Sequence, residues 1–394
     1  MREKVYLEEL FDIGSSKRVF QSEWRDSGIP FYRAREIAKL ASDGYVDNEL
    51  FIDEELYQEY IAKYGKPKAG DIMVTGVGTL GVCYIVQDND EFYFKDGNIL
   101  WFRQKAKNKF LSDYVVKAFN SRSIKEQIQK NSSGTTVGTF TIQTAKKVEL
   151  ELPSMAEQHK IVSILGRLEN IIGKRKEQVN SLDTLIKSRF VEMFGTFPSN
   201  EKGWRIGTIR DIVSEVRYGS SRPATDGGKY PYLRMNNITY SGELDLSDVK
   251  QIDVPDNELP KCTVKRGDVL FNRTNSKELV GKTCVYNRDE LMVLAGFVVR
   301  VRVNNELAVP EFLSVFMNMD FTKKKLFGMC KAASGQANIN AQELQDIGIY
   351  IPPIEIQGNF LEFKNQVDIL KAELQKSLDE TQLLFDSLMK RYFE

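Results

Sequence analysis

The chain of 394 residues has one histidine, His159, and four cysteines (Cys83, Cys262, Cys284, Cys330) with no C-x-x-C spacing. Zinc centres need clustered His and Cys ligands, so no metal site is expected. No apolar run approaches the roughly 18 residues of a membrane span. The opening Met1-Arg2-Glu3-Lys4 lacks the apolar core of an export signal. A cytoplasmic protein with reduced thiols and no membrane contact is the expectation. A charge excess is missing as well. Fifty-five basic and 55 acidic residues cancel, which argues against binding nucleic acid by bulk electrostatics alone.

Catalytic signatures are also absent: no Walker loop, no zinc-ligand spacing, no D/N-P-P-Y sequence. The pair Pro352-Pro353 lacks a preceding Asn or Asp and a following aromatic residue. Gly76-Val77-Gly78-Thr79-Leu80-Gly81 spells G-x-G-x-x-G, but a phosphate cradle requires a helix to open at the last glycines. Here the strand-like Val82–Val86 follows, so the segment reads as a hairpin loop. His159, between Gln158 and Lys160, reads as a solvated helix residue. No catalytic residue is nominated, and a non-enzymatic protein is expected.

What is present is a chain written twice. Apolar residues make up 42% and aromatics 11%, enough for real cores, and the length suits two or three domains. Lys4–Arg18 resembles Trp204–Arg222, and Gly28–Ile37 matches Lys229–Ile238. Gly70-Asp-Ile-Met-Val-Thr75 matches Gly267-Asp-Val-Leu-Phe-Asn272, and Ser133-Gly134 pairs with Ser334-Gly335. Both copies close on a proline, Pro153 and Pro352. Ordered matches at a nearly constant offset define an internal repeat. Each copy also holds a basic stretch. Residues 101–150 carry 10 basic and 3 acidic groups, and residues 261–331 carry 13 and 7.

The globular parts, 1–152 and 197–351, mix short alternating strands (Val82–Val86, Phe92–Phe94, Ile347–Ile351) with helices expected at Leu111–Gln129 and Pro310–Gly328. This predicts α+β domains with a small, mostly antiparallel sheet. The remaining parts, 153–196 and 352–394, read as long helices. Ser154 with Glu157 forms an N-cap box, and Ile161, Leu165, Leu168, Ile172, Val179, Leu182 and Ile186 then follow a 4-3 spacing. In the second helix Phe363, Val367, Leu370, Leu374, Leu384 and Leu388 do the same. Such seams want a partner helix. With a folded domain between them, the two are expected to pair antiparallel, each about 60 Å long.

The repeated loops carry the residue types that read base edges and hold phosphates. In the first copy these are Ser15, Ser16, Lys17, Arg18, Arg33, Arg35, Thr75, Thr79, Ser133 and Thr135. In the second they are Ser220, Ser221, Arg222, Arg234, Asn236, Asn237, Arg273, Thr274, Asn275, Ser276, Ser334, Gln336 and Asn338. Matching loops that differ in residue identity suit two readers of different sequences.

At this point the chain resembles the specificity subunits of Type I restriction–modification systems. The closures Leu152-Pro153-Ser-Met-Ala-Glu157-Gln158 and Ile351-Pro352-Pro353-Ile-Glu355-Ile-Gln357 look like that family's proline-hydrophobic-Glu-Gln passage into its helical regions. Gly70-Asp71 and Gly267-Asp268 carry its Gly-Asp-hydrophobic strand. Ser154 stands where the family has a second proline, and Glu355 is not adjacent to Gln357. The resemblance implies an α+β fold of two pseudo-repeated target-recognition domains separated by two long antiparallel helices forming a coiled coil. It further implies that each domain reads half of a bipartite double-stranded DNA target. The helices would set the spacing and dock two modification (methyltransferase) subunits, through which motor-nuclease restriction subunits join. S-adenosylmethionine would bind those partners, and this chain would hold no cofactor. Two other readings stay open: the DNA-reading part of a single-chain restriction–methylation enzyme, and a coiled-coil scaffold with two binding heads and no DNA role.

Overall fold

The computed structural model describes residues 3–105, 109–131, 138–330 and 337–394. The chain forms two compact units, one from Met1–Lys174 with Ser377–Glu394 and one from Arg175–Lys376. These units cut across the long helices rather than at the domain boundaries expected from sequence, because each half of a long helix packs with a different copy.

In the first unit, strands Phe11–Gly14, Ile99–Gln104, Ile72–Thr75 and Cys83–Ile85 form an antiparallel sheet in that order. A second sheet orders Phe51–Ile52, Ile29–Tyr32 and Tyr93–Phe94, and its last pair is parallel. Glu3–Tyr6 pairs with Glu149–Leu152, so the start of the copy closes on its end. The second unit repeats all three. Val213–Tyr218, Val298–Val303, Val269–Asn272 and Thr283–Val285 form the antiparallel sheet. Tyr230–Leu233 pairs parallel with Met292–Leu294, and Arg205–Thr208 closes on Gly348–Ile351. In place of the single small sheet expected for each copy, the described residues form three sheets in the first and four in the second, where Thr274–Asn275 also pairs with Ala337–Asn338, and each copy has one parallel pairing. That pairing joins strands some sixty residues apart, which no turn signal announces.

The Gly-Asp motif has a mechanical cause. Gly70 and Gly267 sit at φ 89° and 88°, a region open to glycine. The next residue then turns inward. Asp71 accepts from the Lys68 N–H at 3.0 Å, the Trp101 indole at 2.7 Å and Arg103 Nε at 3.3 Å. Asp268 accepts from the Lys265 N–H at 2.9 Å and Arg302 Nε at 2.8 Å. Both carboxylates are buried, so an unpaired charge there would be costly.

The helix expected over Leu111–Gln129 is two helices, Ser112–Phe119 and Arg122–Asn131. Ser121 ends the first by donating to Ala118 O and starts the second by accepting from the Ile124 N–H. Pro310–Gly328 divides likewise into Pro310–Asn318 and Asp320–Met329, at an extended Met319.

The long helices run Met155–Phe194 and Ile354–Phe393. The Glu157 N–H reaches Ser154 Oγ at 3.3 Å, half of the expected capping box. In the second unit Phe190 and Phe194 meet Phe360 at ring distances of 5.3 and 5.5 Å, Arg189 lies over Phe363, and Lys371 bonds Asp183 at 2.5 Å. Residue numbers rise along one helix as they fall along the other, so the stretches are antiparallel. In the first unit, Ile161 and Leu165 share a core with Met389, flanked by Phe385, Leu388, Tyr392 and Phe393.

The seam needs correction. Ile161, Leu165, Ile172, Ile186 and Val367 are buried, and Leu168, Val179, Leu182, Phe363, Leu374 and Leu388 are partly buried. Leu370 and Leu384, expected in the seam, are 52% and 50% exposed. Leu378 and Met389, not expected there, are buried. An ideal helix turns 100° per residue and drifts about 20° per heptad, so seventeen residues beyond Val367 the chain has rotated roughly 100° away. The buried positions Val367, Leu378 and Met389 instead recur every eleven residues, close to three whole turns.

Candidate nucleic-acid interface

In each unit the repeated polar loops gather at one end of the sheets, tied together by backbone. In the first unit Ser15 Oγ donates to Ile99 O at 2.8 Å, and Ser16 Oγ donates to Phe94 O. The Gly76 N–H donates to Asn98 O at 2.8 Å, and Gly76 O accepts from the Phe140 N–H at 2.9 Å. A shallow groove there is lined by Arg33, Arg35, Val77, Gly78, Thr79 and Asn98. The second unit repeats the wiring. The Ser220 N–H donates to Leu294 O at 2.6 Å, the Arg273 N–H to Phe297 O at 3.0 Å and the Ile339 N–H to Arg273 O at 2.9 Å. Lys282 Nζ donates to Met235 O at 2.8 Å, and burial lowers its pKa.

Several residues expected to face DNA are committed to the fold. Thr75 is buried, its Oγ accepting from the Val82 N–H at 3.0 Å and donating to Thr79 O. Asn237 is 2% exposed; its Oδ1 caps the Arg234 N–H at 2.8 Å and its Nδ2 donates to Asp245 O and Asp248 O. Thr274 is buried against Asn338. These three assignments are corrected: Thr75 and Asn237 have their donors and acceptors satisfied inside, with none left for a base edge, and Thr274 is buried with its hydroxyl donated to Asn338.

Four arginines hold acidic partners. Arg33 donates to Glu36 through Nε and Nη2 at 3.1 and 2.8 Å. Arg35 contacts Glu36 and also Glu49, the latter at 2.5 Å. Burial alone would raise the Glu36 pKa, but the hydrogen bonds from Arg33 and Arg35 outweigh it and hold the carboxyl below its usual range. Arg222 donates to Glu258 at 3.0 and 2.7 Å, and Arg234 donates to Asp248 at 2.8 Å.

The surface left for a ligand is narrower. Lys17, Arg18, Thr79, Ser221, Asn236 and Asn338 are exposed. Lys17 lies over the Tyr64 ring and Arg18 over Phe20. Arg273 lies 4.8 Å from the Tyr218 ring centre. Asn275 Oδ1 accepts from the Ser276 N–H. Ser133, Thr135, Ser334 and Gln336 fall outside the described residues. Sequence reasoning missed Asn98, Tyr218 and the 54% exposed Phe297. Only Phe297 left a signal, as an aromatic residue inside the turn-like Ala295-Gly296-Phe297. Among the described residues no cluster of His, Cys, Asp or Glu could hold a metal ion, and no helix is long and apolar enough to cross a membrane.

The pattern of the Type I restriction modification DNA specificity domain matches twice, over residues 2–181 and 201–381. A type I restriction enzyme specificity subunit of Haemophilus influenzae is 35% identical over 41% of this chain and 40% of its own length. The EcoKI specificity subunit of Escherichia coli K12 is 20% identical over 72% of this chain and 65% of its own. The chain thus spans less than two thirds of either relative. Among solved structures, the S subunit of the M. genitalium Type I system aligns over 100% of this chain and 96% of its own, with TM-score 0.57 and 15% identity. A chain from a study of assembly and conformational transition of the type I R-M system aligns over 100% and 97%, with TM-score 0.60 and 15% identity. At that identity the likeness establishes the fold.

Proposed function

The chain belongs to the Type I restriction modification DNA specificity family, and on that footing we propose that it is the sequence-reading subunit of a Type I restriction–modification complex. Each loop-bearing end reads one half of a bipartite double-stranded DNA target in the cytoplasm. The long helices set the spacing of the halves and dock two modification subunits, through which motor-nuclease subunits join. Those modification subunits bind S-adenosylmethionine and transfer the methyl group; this chain is not an enzyme and holds no cofactor.

The observation that carries this reading is the pair of loop ends built on the same backbone hydrogen bonds with different side chains. Gly76 and Arg273 each donate to a neighbouring turn and accept from the residue just before a short helix's N-cap, Phe140 or Ile339. A scaffold held constant while its surface chemistry changes is what two readers of unlike half-sites require. The test is duplex binding by the full chain at two salt concentrations, alongside methyl transfer by the chain alone. The proposal expects binding that survives competition by mixed-sequence DNA, and no methyl transfer without partner subunits. Binding abolished by any competitor duplex, or turnover by the chain alone, contradicts it.

A further inference from the structure

Resting on that reading, we propose that Arg273 is the base-reading residue of the second domain and that it recognises a guanine in the major groove. Of the arginines nominated in this unit, Arg222 and Arg234 spend their donors on Glu258 and Asp248. Arg273 makes no carboxylate contact among the described residues and instead lies over the Tyr218 ring. An aromatic face supports a guanidinium without consuming its in-plane donors. Those donors match the O6 and N7 acceptors of guanine, the commonest specific contact of arginine.

The backbone under Arg273 is fixed on both sides, by its N–H to Phe297 O and its C=O from the Ile339 N–H. The next residues pair in a short antiparallel ribbon, Thr274 with Asn338 and Asn275 with Ala337. A two-stranded ribbon is one of the shapes that the major groove admits. The first unit lacks both the arginine and its shelf. By strand register, Met73 opposite Trp101 corresponds to Leu270 opposite Arg300, which places Gly76 at the position of Arg273. Gly14 opposite Trp101 corresponds to Arg217 opposite Arg300, which places Ser15 at that of Tyr218. A Cβ at Gly76 would lie 2.7 Å from Phe140 O, so the first copy cannot carry a side chain there without moving. Arginine and ring are present together in one copy and absent together in the other.

The test compares full-length wild type, Arg273→Lys, Arg273→Ala, Tyr218→Ala and Arg222→Ala for binding to duplexes varied one base pair at a time, with the modification subunits present. Wild type lacking any preference in either half would sink the underlying reading of function. Given a wild-type preference, Arg273→Lys is expected to lose roughly 5- to 150-fold discrimination at one G·C pair of one half-site. Its melting temperature and salt slope are expected to match wild type, because the charge remains. Tyr218→Ala is expected to lose part of the same discrimination, and Arg222→Ala none. Retained discrimination in Arg273→Lys, loss at an A·T pair, or equal weakening on all sequences would overturn the assignment. If Arg273→Ala alone unfolds, the lysine variant decides.

Discussion

Gln357 holds in the second unit the place that Gln158 holds in the first. Each side chain is fully buried. Gln158 Oε1 accepts from the Leu111 N–H at 2.9 Å and its Nε2 donates to Pro153 O at 2.8 Å. Gln357 Oε1 accepts from the Val309 N–H at 2.9 Å and its Nε2 donates to Pro352 O at 2.8 Å. One amide thus ties the first turn of a long helix to the start of a domain helix and to the proline before it. The departures at Ser154 and Glu355 leave this lock intact, because the interval from proline to glutamine is the same. Gln158→Ala or Gln357→Ala strands a buried N–H and a buried carbonyl, and about 2–4 kcal/mol of stability is expected to go with them. Denaturant unfolding of each variant measures this, and a loss under half a kcal/mol would mean the lock carries no weight.

Asn237 is expected to behave as a structural residue rather than a reader. Asn237→Ala removes three internal hydrogen bonds at once and is expected to lower the unfolding free energy by about 1–3 kcal/mol. Among the molecules that remain folded, the preferred DNA sequence is unchanged. A shifted base preference at full stability would restore the reading drawn from sequence alone.

On the second long helix the eleven-residue spacing predicts opposite fates for near neighbours. Val367→Asp buries an unpaired charge and is expected to cost about 3 kcal/mol or more. Leu370→Asp, on an exposed residue, is expected to stay within about 0.5 kcal/mol of wild type. Thermal unfolding of both compares them directly, and equal damage would return Leu370 to the seam.

Much of the architecture is legible in the sequence. The repeat, the two forty-residue helices and the loop positions all follow from apolar spacing, capping residues and matched glycines. Three things are not. Heptad counting puts Leu384 in the seam because it ignores the drift of a 3.6-residue helix over five turns, whereas Leu370, about 60° around the helix from Val367, falls at the exposed edge of the stripe. The parallel pairing of Ile29–Tyr32 with Tyr93–Phe94 is non-local. Polar loop residues could not be sorted into readers and braces, because Asn237 and Asn236 differ only in which one folds inward. The carboxylates that claim Arg33, Arg35, Arg222 and Arg234 show only in three dimensions.

Lys323 predicts a pH signature. Burial, with the charges of Lys187 and Lys282 adding to it, lowers its pKa from 10.5 to about 8, and its Nζ donates to Gly281 O at 2.7 Å. Between these two values the unfolded chain binds the proton and the folded chain has released it. Stability therefore rises with pH in that window, by at most about 1.4 kcal/mol per pH unit from this group. Lys323→Met removes the effect. The difference in unfolding free energy between wild type and variant is expected to move in favour of wild type from pH 8 to pH 10. A difference that stays flat would show that the amine titrates normally.

The proposed function requires one chain to read two separate DNA elements with two independent ends. The most direct measurement is methylation mapping, with the full chain and its modification subunits acting on a duplex library randomised across both halves and the spacer. Methylated products are expected to share two short fixed elements at one fixed separation, with substitutions at Arg18 altering only one element and at Arg273 only the other. A single continuous element, or substitutions that blur both elements alike, would contradict the proposed function.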